Sequence, residues 1–284
     1  MNNPILTSST KLWKEKLEEL EKFFNSDVIS INGPMDDSLL NILIDIIEQL
    51  KLNPKYNSGK LYVILTTNGG SASTVERMVN IFRHNYREVN FIIPDYAYSA
   101  GTILCMSGDN IYMDYTSVLG PIDPQVPNKE GRFVPALGYL DKVNDLLDKA
   151  ENGTISQAEF LILKDFDLAE LRQYEQARDL TVDLLKEWLV KYKFKDWEKH
   201  RNGNSVSNEE KEQRAEEIAR KLGDYSKWKS HARPLNIEYL RNIGLKIVDY
   251  SDLQERVLIR EYYNVSIDYM SLRNFQAVIH YRFF

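Results

Sequence analysis

Several features that would assign a chain to a common functional class are missing from this 284-residue sequence. Its single cysteine, Cys105, excludes an intramolecular disulfide framework and fits a reducing compartment. No uninterrupted apolar stretch reaches the roughly 18–20 residues that a transmembrane helix needs, and Met1–Pro4 does not open a signal peptide. These absences favour a cytoplasmic protein without a transmembrane segment.

Charge and short motifs exclude further classes of ligand. The formal net charge is −6, from 36 basic and 42 acidic residues spread along the chain, which gives no electrostatic case for nucleic-acid binding. There is no His-Glu-x-x-His motif, and Gly69–Ser71 lacks the lysine of a Walker phosphate-binding loop. We therefore expect no metal and no cofactor, and any dependence on ATP would have to come from a separate regulatory partner.

Strand-like and helical patterns alternate through the first half of the chain. The runs typical of strands are Val28–Ile31, Leu61–Thr67, Val89–Ile93, Asn110–Met113 and, much later, Leu245–Val248. Apolar residues at helical spacing fill the intervals between the first four runs. This alternation predicts an α/β fold with a mostly parallel sheet and helices outside it.

The second half of the chain has a different character. Residues 136–232 show mainly helical periodicity, and residues 251–284 form a tail rich in aromatic side chains. We expect residues 1–250 to form one domain and residues 251–284 a C-terminal extension. Such an extension packs either on its own core or on a neighbouring subunit.

A serine and a glycine turn stand at the ends of two predicted strands. Ser99 follows Val89–Ile93 on a strand-to-helix turn, where a helix opening at Ala100 would present unpaired backbone N–H groups. The turn Asn68–Gly70 follows Leu61–Thr67, and its missing side chains let backbone amides approach a ligand closely. Ligands of parallel α/β sheets bind at these carboxyl ends of strands.

A third segment, Ser117–Gln125, contains the run Gly-Pro-Ile-Asp-Pro. The glycine turn, the serine turn and this segment, in that order along the chain, resemble the serine dehydrogenase proteinase family of the ClpP/crotonase superfamily, which is related to signal peptide peptidase A. The resemblance implies a repeated β-β-α superhelical core with an added helical segment, and a homo-oligomer. It also implies that Ser99 is the nucleophile and that the N–H groups of Gly70 and Ala100 form the oxyanion hole.

The same resemblance suggests residues that contact the substrate. Gly69 and Ser71 flank the predicted oxyanion donor, so we expect both to line the substrate-binding site. Asp123, between two prolines, is expected to border the site or to orient a catalytic base, although a turn-forming aspartate is the simpler interpretation.

The residue that removes the serine proton stays open, because a serine hydroxyl needs a base to attack at neutral pH. Lys142 lies on the helix after the Gly-Pro-Ile-Asp-Pro run, where relatives of signal peptide peptidase A place a lysine; Lys164 is a weaker candidate. His231 lies in Ser230–Pro234, which resembles a Ser-His-Gly-Arg-Pro element of the family with Ala232 in place of the glycine. Either a Ser/Lys or a Ser/His pair is therefore expected.

These expectations combine into a serine peptidase that hydrolyses peptide bonds of a peptide or protein substrate through an acyl-enzyme at Ser99. One alternative is a crotonase-like acyl-CoA enzyme, which uses a similar oxyanion hole without needing the serine. A second alternative is a catalytically inert ClpP-like scaffold that binds peptides or partner proteins.

Overall fold

The computed structural model describes residues 4–127, 133–200, 202–224, 230 and 233–284. Its helices are α1 Pro4–Phe24, α2 Asp37–Leu52, α3 Ala72–Asn85, α4 Ala100–Met106, α5 Ala136–Glu151, α6 Gln157–Lys164, α7 Leu168–Trp188, α8 Asn208–Gly223, α9 Ile237–Asn242 and α10 Glu255–Arg273. Its strands are β1 Asp27–Asn32, β2 Lys60–Thr66, β3 Glu88–Ile93, β4 Tyr96–Ala97, β5 Asn110–Met113, β6 Val118–Leu119, β7 Gln125–Pro127, β8 Phe133–Pro135, β9 Val248–Asp249 and β10 Val278–His280. A π-helical segment, Leu189–Lys193, directly follows α7.

A central sheet organises the chain, with strand order β10-β1-β2-β3-β5-β9. The five strands from β1 to β9 pair in parallel, while the edge strand β10 is antiparallel to β1, with Ser30 opposite His280. This arrangement confirms the predicted α/β class and the mostly parallel sheet.

Helices cover both faces of the sheet, and β2 shows why its sequence is continuously apolar. Leu61, Val63 and Leu65 face the core formed with α2, α3, α4, α7 and α8, whereas Tyr62 and Ile64 face α1 and α10. A strand buried on both faces loses the alternation of polar and apolar residues. The carboxyl end of β2 is therefore held rigidly from two sides.

Short outer strands follow the main strands at their carboxyl ends. They form a second ladder through the bridges Met35–Gly70, Thr67–Ala97 and Leu119–Leu235 and through parallel pairing of β4 with β6. A main strand, an outer strand and then a helix succeed one another along the chain, which is the predicted β-β-α repeat. The second ladder brings together the segments that contain the glycine turn and Ser99.

Two segments differ in detail from the sequence patterns. The predicted strand Leu245–Val248 is wrong in its extent, because only Val248–Asp249 pair with β5; Leu245 and Ile247 instead bury their side chains from an irregular segment that follows α9. Residues 251–284 supply α10, which packs on α1, and the edge strand β10 of the same central sheet.

Across the described ranges, none of the helices combines the length and apolar character needed to cross a bilayer.

Candidate functional site

Ser99 occupies a strained position between β4 and α4. Its backbone has φ +51° and ψ −118°, a conformation that residues with a side chain rarely adopt, and the residue is partly exposed. The neighbouring backbone is fixed, because the Gly101 N–H donates to the Tyr98 carbonyl at 2.8 Å and the Ile103 N–H to the Ser99 carbonyl at 3.1 Å. These bonds hold Ser99 in a fixed position directly before α4.

A buried threonine holds this turn against the Gly-Pro-Ile-Asp-Pro segment. Thr102 Oγ1 lies 2.8 Å from the Ala97 carbonyl oxygen and 2.9 Å from that of Gly120, and it accepts from the Gly120 N–H at 3.0 Å. The side chain is fully buried, so these backbone groups have no access to water as an alternative partner. The sequence patterns did not single out Thr102; its place one turn of helix after the serine was the available signal.

The glycine turn lies directly against Ser99. A Cβ atom at position 69 would stand 2.8 Å from Ser99 Cβ and 3.3 Å from the Ala100 nitrogen, and Gly69 has φ +110°. Thr67 fixes the turn, since its Oγ1 accepts from the Gly69 N–H at 2.9 Å and its carbonyl accepts from the Tyr98 N–H at 2.9 Å. Only glycine fits this close approach of two backbones.

Two backbone N–H groups beside the serine find no acceptor in the part of the chain that the structure describes. Met35 bonds to the Gly69 carbonyl and the Ser71 N–H on one side of the chain, so the intervening Gly70 N–H lies on the other side. Ala100 is the first residue of α4, where an N–H has no acceptor within the helix. Among the described residues, neither the Gly70 nor the Ala100 N–H makes a hydrogen bond. Such donors are suited to hold a negatively charged oxygen.

The other predicted substrate contacts have structural partners. Ser71 caps α3, and its Oγ accepts from the Thr74 N–H at 3.2 Å and lies 2.8 Å from Ser73 Oγ. Asp123 is fully buried, and its Oδ2 accepts from Gln125 Nε2 at 2.9 Å. Both residues therefore have a role in holding the local backbone, and their contact with a substrate stays a prediction.

The two lysine candidates for the base are exposed helix residues in this structure. Lys142 is exposed on α5, beside the buried Val143, and Lys164 is exposed at the end of α6. His231 lies outside the described residues. In the described part of the chain Ser99 Oγ has no side-chain hydrogen-bond partner, and no group of three His, Cys, Asp or Glu side chains is placed to hold a metal ion.

The family model described as "ClpP-like SDH-type serine proteinase" matches residues 44–205, more than half of the chain. The chain belongs to this family. Membership in the ClpP-like SDH-type serine proteinases confirms the family resemblance drawn from the motifs. The matched range includes Ser99, the glycine turn and Lys142, while His231 lies beyond it.

Individual relatives of this SDH-type proteinase are distant. An uncharacterized protein of Methanocaldococcus jannaschii is 27% identical over 203 residues, which are 72% of this chain and 56% of that protein. An ATP-dependent Clp protease proteolytic subunit of Streptococcus sanguinis is 26% identical over 105 residues, 37% of this chain and 53% of that subunit. This chain thus spans little more than half the length of these relatives. A solved membrane-bound stomatin-specific protease is 14% identical, with 82% of each chain covered and a TM-score of 0.47.

Proposed function

We propose that this chain is a serine peptidase in which Ser99 attacks the carbonyl carbon of a peptide bond. The observation that carries the proposal is the position of Ser99, strained and partly exposed, against a glycine turn, with two N–H groups nearby that have no acceptor among the described residues. Attack forms a bond between Ser99 Oγ and the carbonyl carbon, and the carbonyl oxygen takes the negative charge. The Gly70 and Ala100 N–H groups would stabilise that oxyanion.

Collapse of this intermediate breaks the carbon–nitrogen bond and leaves an acyl group on Ser99. The base that took the serine proton returns it to the leaving amine, and water then hydrolyses the ester by the reverse sequence. Gly69, Ser71 and Asp123 are proposed to border the substrate path. Family membership supports this reaction class, and a crotonase-like acyl-CoA enzyme would have no need of a strained serine at this position.

For the base we propose Lys142, in a Ser/Lys pair like that of signal peptide peptidase A, with His231 as the alternative. An exposed ammonium is a poor base, because water stabilises its charge. Lys142 would therefore act only when a substrate or another copy of the chain covers α5. Assembly into a homo-oligomer is part of the proposal and is supported by exposed apolar side chains on the neighbouring α6, namely Phe160, Leu161 and Ile162.

The decisive experiment is labelling with a serine-directed fluorophosphonate. We expect the unmodified protein and Ser271→Ala, a control at an exposed helical serine, to form one adduct per chain, and Ser99→Ala to form none. Mass spectrometry of the labelled peptide should place the adduct on Ser99. If no Ser99-dependent adduct forms while the folded state is intact, the peptidase proposal fails and the inert scaffold is favoured.

The two candidate bases are separated by kinetics. Lys142→Met and His231→Gln are compared for labelling rate from acid to alkaline pH, with Lys22→Met as the matched control for loss of an exposed lysine. The base variant should lose the ascending limb of the pH–rate profile. Equal profiles for all variants would exclude both residues as the base.

A further inference from the structure

A pocket of about 800 Å³ lies at the amino ends of the sheet strands, whereas Ser99 lies beyond their carboxyl ends. Glu88 and Asn110, which line it, are the first residues of β3 and β5, and Lys246 precedes β9. These are the amino ends of parallel strands, whereas Ser99 follows a carboxyl end. The pocket is therefore separate from the proposed catalytic site, and its volume is within the range of small-molecule sites.

The π-helical segment Leu189–Lys193 forms one wall of the pocket. The Phe194 N–H donates to the Leu189 carbonyl at 2.8 Å, across five residues rather than four, and Lys193 ends the segment. Such segments are rare and recur at functional sites. Lys193 is half-buried here, with Nζ 3.4 Å from the Asp109 carbonyl oxygen.

Positive charge is concentrated in this pocket although the whole chain has a net charge of −6. Among the described residues, Lys193, Lys199 and Lys246 form no ion pair with a carboxylate. Of the carboxylates in the lining, Asp109 is bound by Arg83 and Lys195 and Glu88 by Lys60, while Asp196 is exposed, as are Lys199 and Lys246. Lys193 is thus a half-buried ammonium group of the lining without a carboxylate partner among the described residues.

The groups around Lys193 affect the pKa of its ammonium group. Burial lowers the pKa of Lys193 to about 7; Cys105 and Asp109 act in the opposite direction, and the nearby charges of Lys246 and Arg83 lower it further. The side chain of Arg83 is 10% exposed, and its buried Nε has no acceptor among the described residues. An anion bound beside Lys193 and Lys246 would offset the repulsion between these two charges.

We propose that this pocket binds a phosphorylated small molecule, with phosphate groups between the ammonium groups of Lys193 and Lys246. The half-buried indole of Trp197, which also lines the pocket, offers a flat surface to a ring attached to the phosphate. Inorganic pyrophosphate and a nucleoside diphosphate share the diphosphate group, and the nucleoside diphosphate adds a ribose and an aromatic base.

Isothermal titration of the full chain with pyrophosphate tests the site. We expect one binding site per chain, and Lys193→Met and Lys246→Met should each weaken binding about tenfold or more, as expected for loss of a charge-assisted contact. Lys22→Met removes an exposed lysine of α1 and should leave the affinity unchanged. Absence of binding at millimolar pyrophosphate, or equal weakening by all three variants, would overturn the proposal.

A second titration with ADP distinguishes the sources of the phosphate. If ADP binds more tightly than pyrophosphate, and Trp197→Leu removes this difference, the pocket is a nucleotide site. If ADP and pyrophosphate bind with equal affinity, the pocket recognises only the phosphate groups.

Proton uptake supplies a further measurement, because an anion favours protonated Lys193. At pH 7–8 binding should take up protons, as seen from the dependence of the heat on buffer, and this uptake should vanish in Lys193→Met. Uptake that persists in Lys193→Met would contradict the role of this lysine.

Discussion

Gly69 and Ser99 are so close that a methyl group on the glycine would stand 2.8 Å from Ser99 Cβ. Gly69 follows β2 and Ser99 follows β4. Thr67 connects the two turns, because it accepts hydrogen bonds from the Gly69 N–H and the Tyr98 N–H. The proposed nucleophile and oxyanion donors thus belong to one rigid corner of the fold.

This contact predicts the effect of Gly69→Ala. The added methyl group must displace Ser99, so we expect fluorophosphonate labelling to slow by about a hundredfold. Gly153→Ala is the matched control, because Gly153 also has positive φ, +66°, but has nothing within 4 Å of the added carbon. Gly153→Ala should lower the free energy of unfolding by about 1–2 kcal/mol through backbone strain alone. Its Ser99 should react with the fluorophosphonate at the same rate as in the unmodified protein. Similar labelling by both variants would contradict the proposed geometry.

The strained backbone of Ser99 predicts opposite effects on stability and activity. Strain of about 1–3 kcal/mol at such a position exceeds the greater unfolded-state freedom of glycine, about 0.5–1 kcal/mol. Ser99→Gly should therefore raise the free energy of unfolding in urea, while Ser99→Ala, which keeps the Cβ atom, should not. Both should abolish labelling. Lower stability of Ser99→Gly than of Ser99→Ala would argue against strain at this residue.

Thr102 should act as a positioning residue for the serine turn. Thr102→Val removes the hydroxyl that bonds to Ala97 and Gly120 and leaves buried backbone groups without a partner, at a cost of about 1–3 kcal/mol. We expect lower stability in urea together with slower labelling of Ser99. Thr102→Ser keeps the hydroxyl and should recover the labelling rate, whereas recovery by Val would indicate that only side-chain volume matters.

Asp114 should contribute to stability in a pH-dependent way. Burial raises the pKa of Asp114, but hydrogen bonds from Thr116 and the charge and hydrogen bond of Arg260 outweigh it, so its pKa lies below the ordinary value. Since the folded-state pKa is the lower one, the stabilisation is complete above the unfolded-state pKa and is lost as pH falls through the folded-state pKa.

Asp114→Asn should therefore destabilise the fold at neutral pH, by about 3 kcal/mol for a buried ion pair, and the difference from the unmodified protein should shrink in acid. The measurement is urea unfolding at neutral and at acid pH. Asp268→Asn, at an exposed carboxylate of α10, is the control and should be close to neutral at both. A loss of stability that is constant with pH would contradict the assignment.

The exposed side chains of α6 predict the assembly state. Leu161 is 60% exposed beside Phe160 and Ile162, and Leu161→Glu should reduce the mass measured by sedimentation velocity if this surface joins copies. Leu52 is an isolated apolar residue that is 80% exposed on α2, so Leu52→Glu should leave the mass unchanged. A protein that is already monomeric would contradict the proposed assembly and leave a bound substrate as the means of covering Lys142.

Local patterns were sufficient for β1, β2, β3 and β5, for the helices between them and for the turns that contain Gly69 and Ser99, but not for α10 or β10. The short outer ladder could not be read in advance, because bridges such as Thr67–Ala97 involve single residues that carry no periodicity. Lys193 was missed for a related reason: its burial depends on a π-helical segment and on a pocket formed by distant parts of the chain. The aromatic character of residues 251–284 predicted that they pack, but not that they pair with β1.

The pairing of β10 with β1 also bears on how the molecule reaches its native state. Ser30 meets His280 across almost the whole chain, while Trp13 stacks on the same histidine at 3.7 Å between ring centroids. Contacts of such long range form late, after the local helices. Until then β1 offers unpaired backbone groups that a strand from another molecule can occupy, so the yield of renaturation should fall as protein concentration rises.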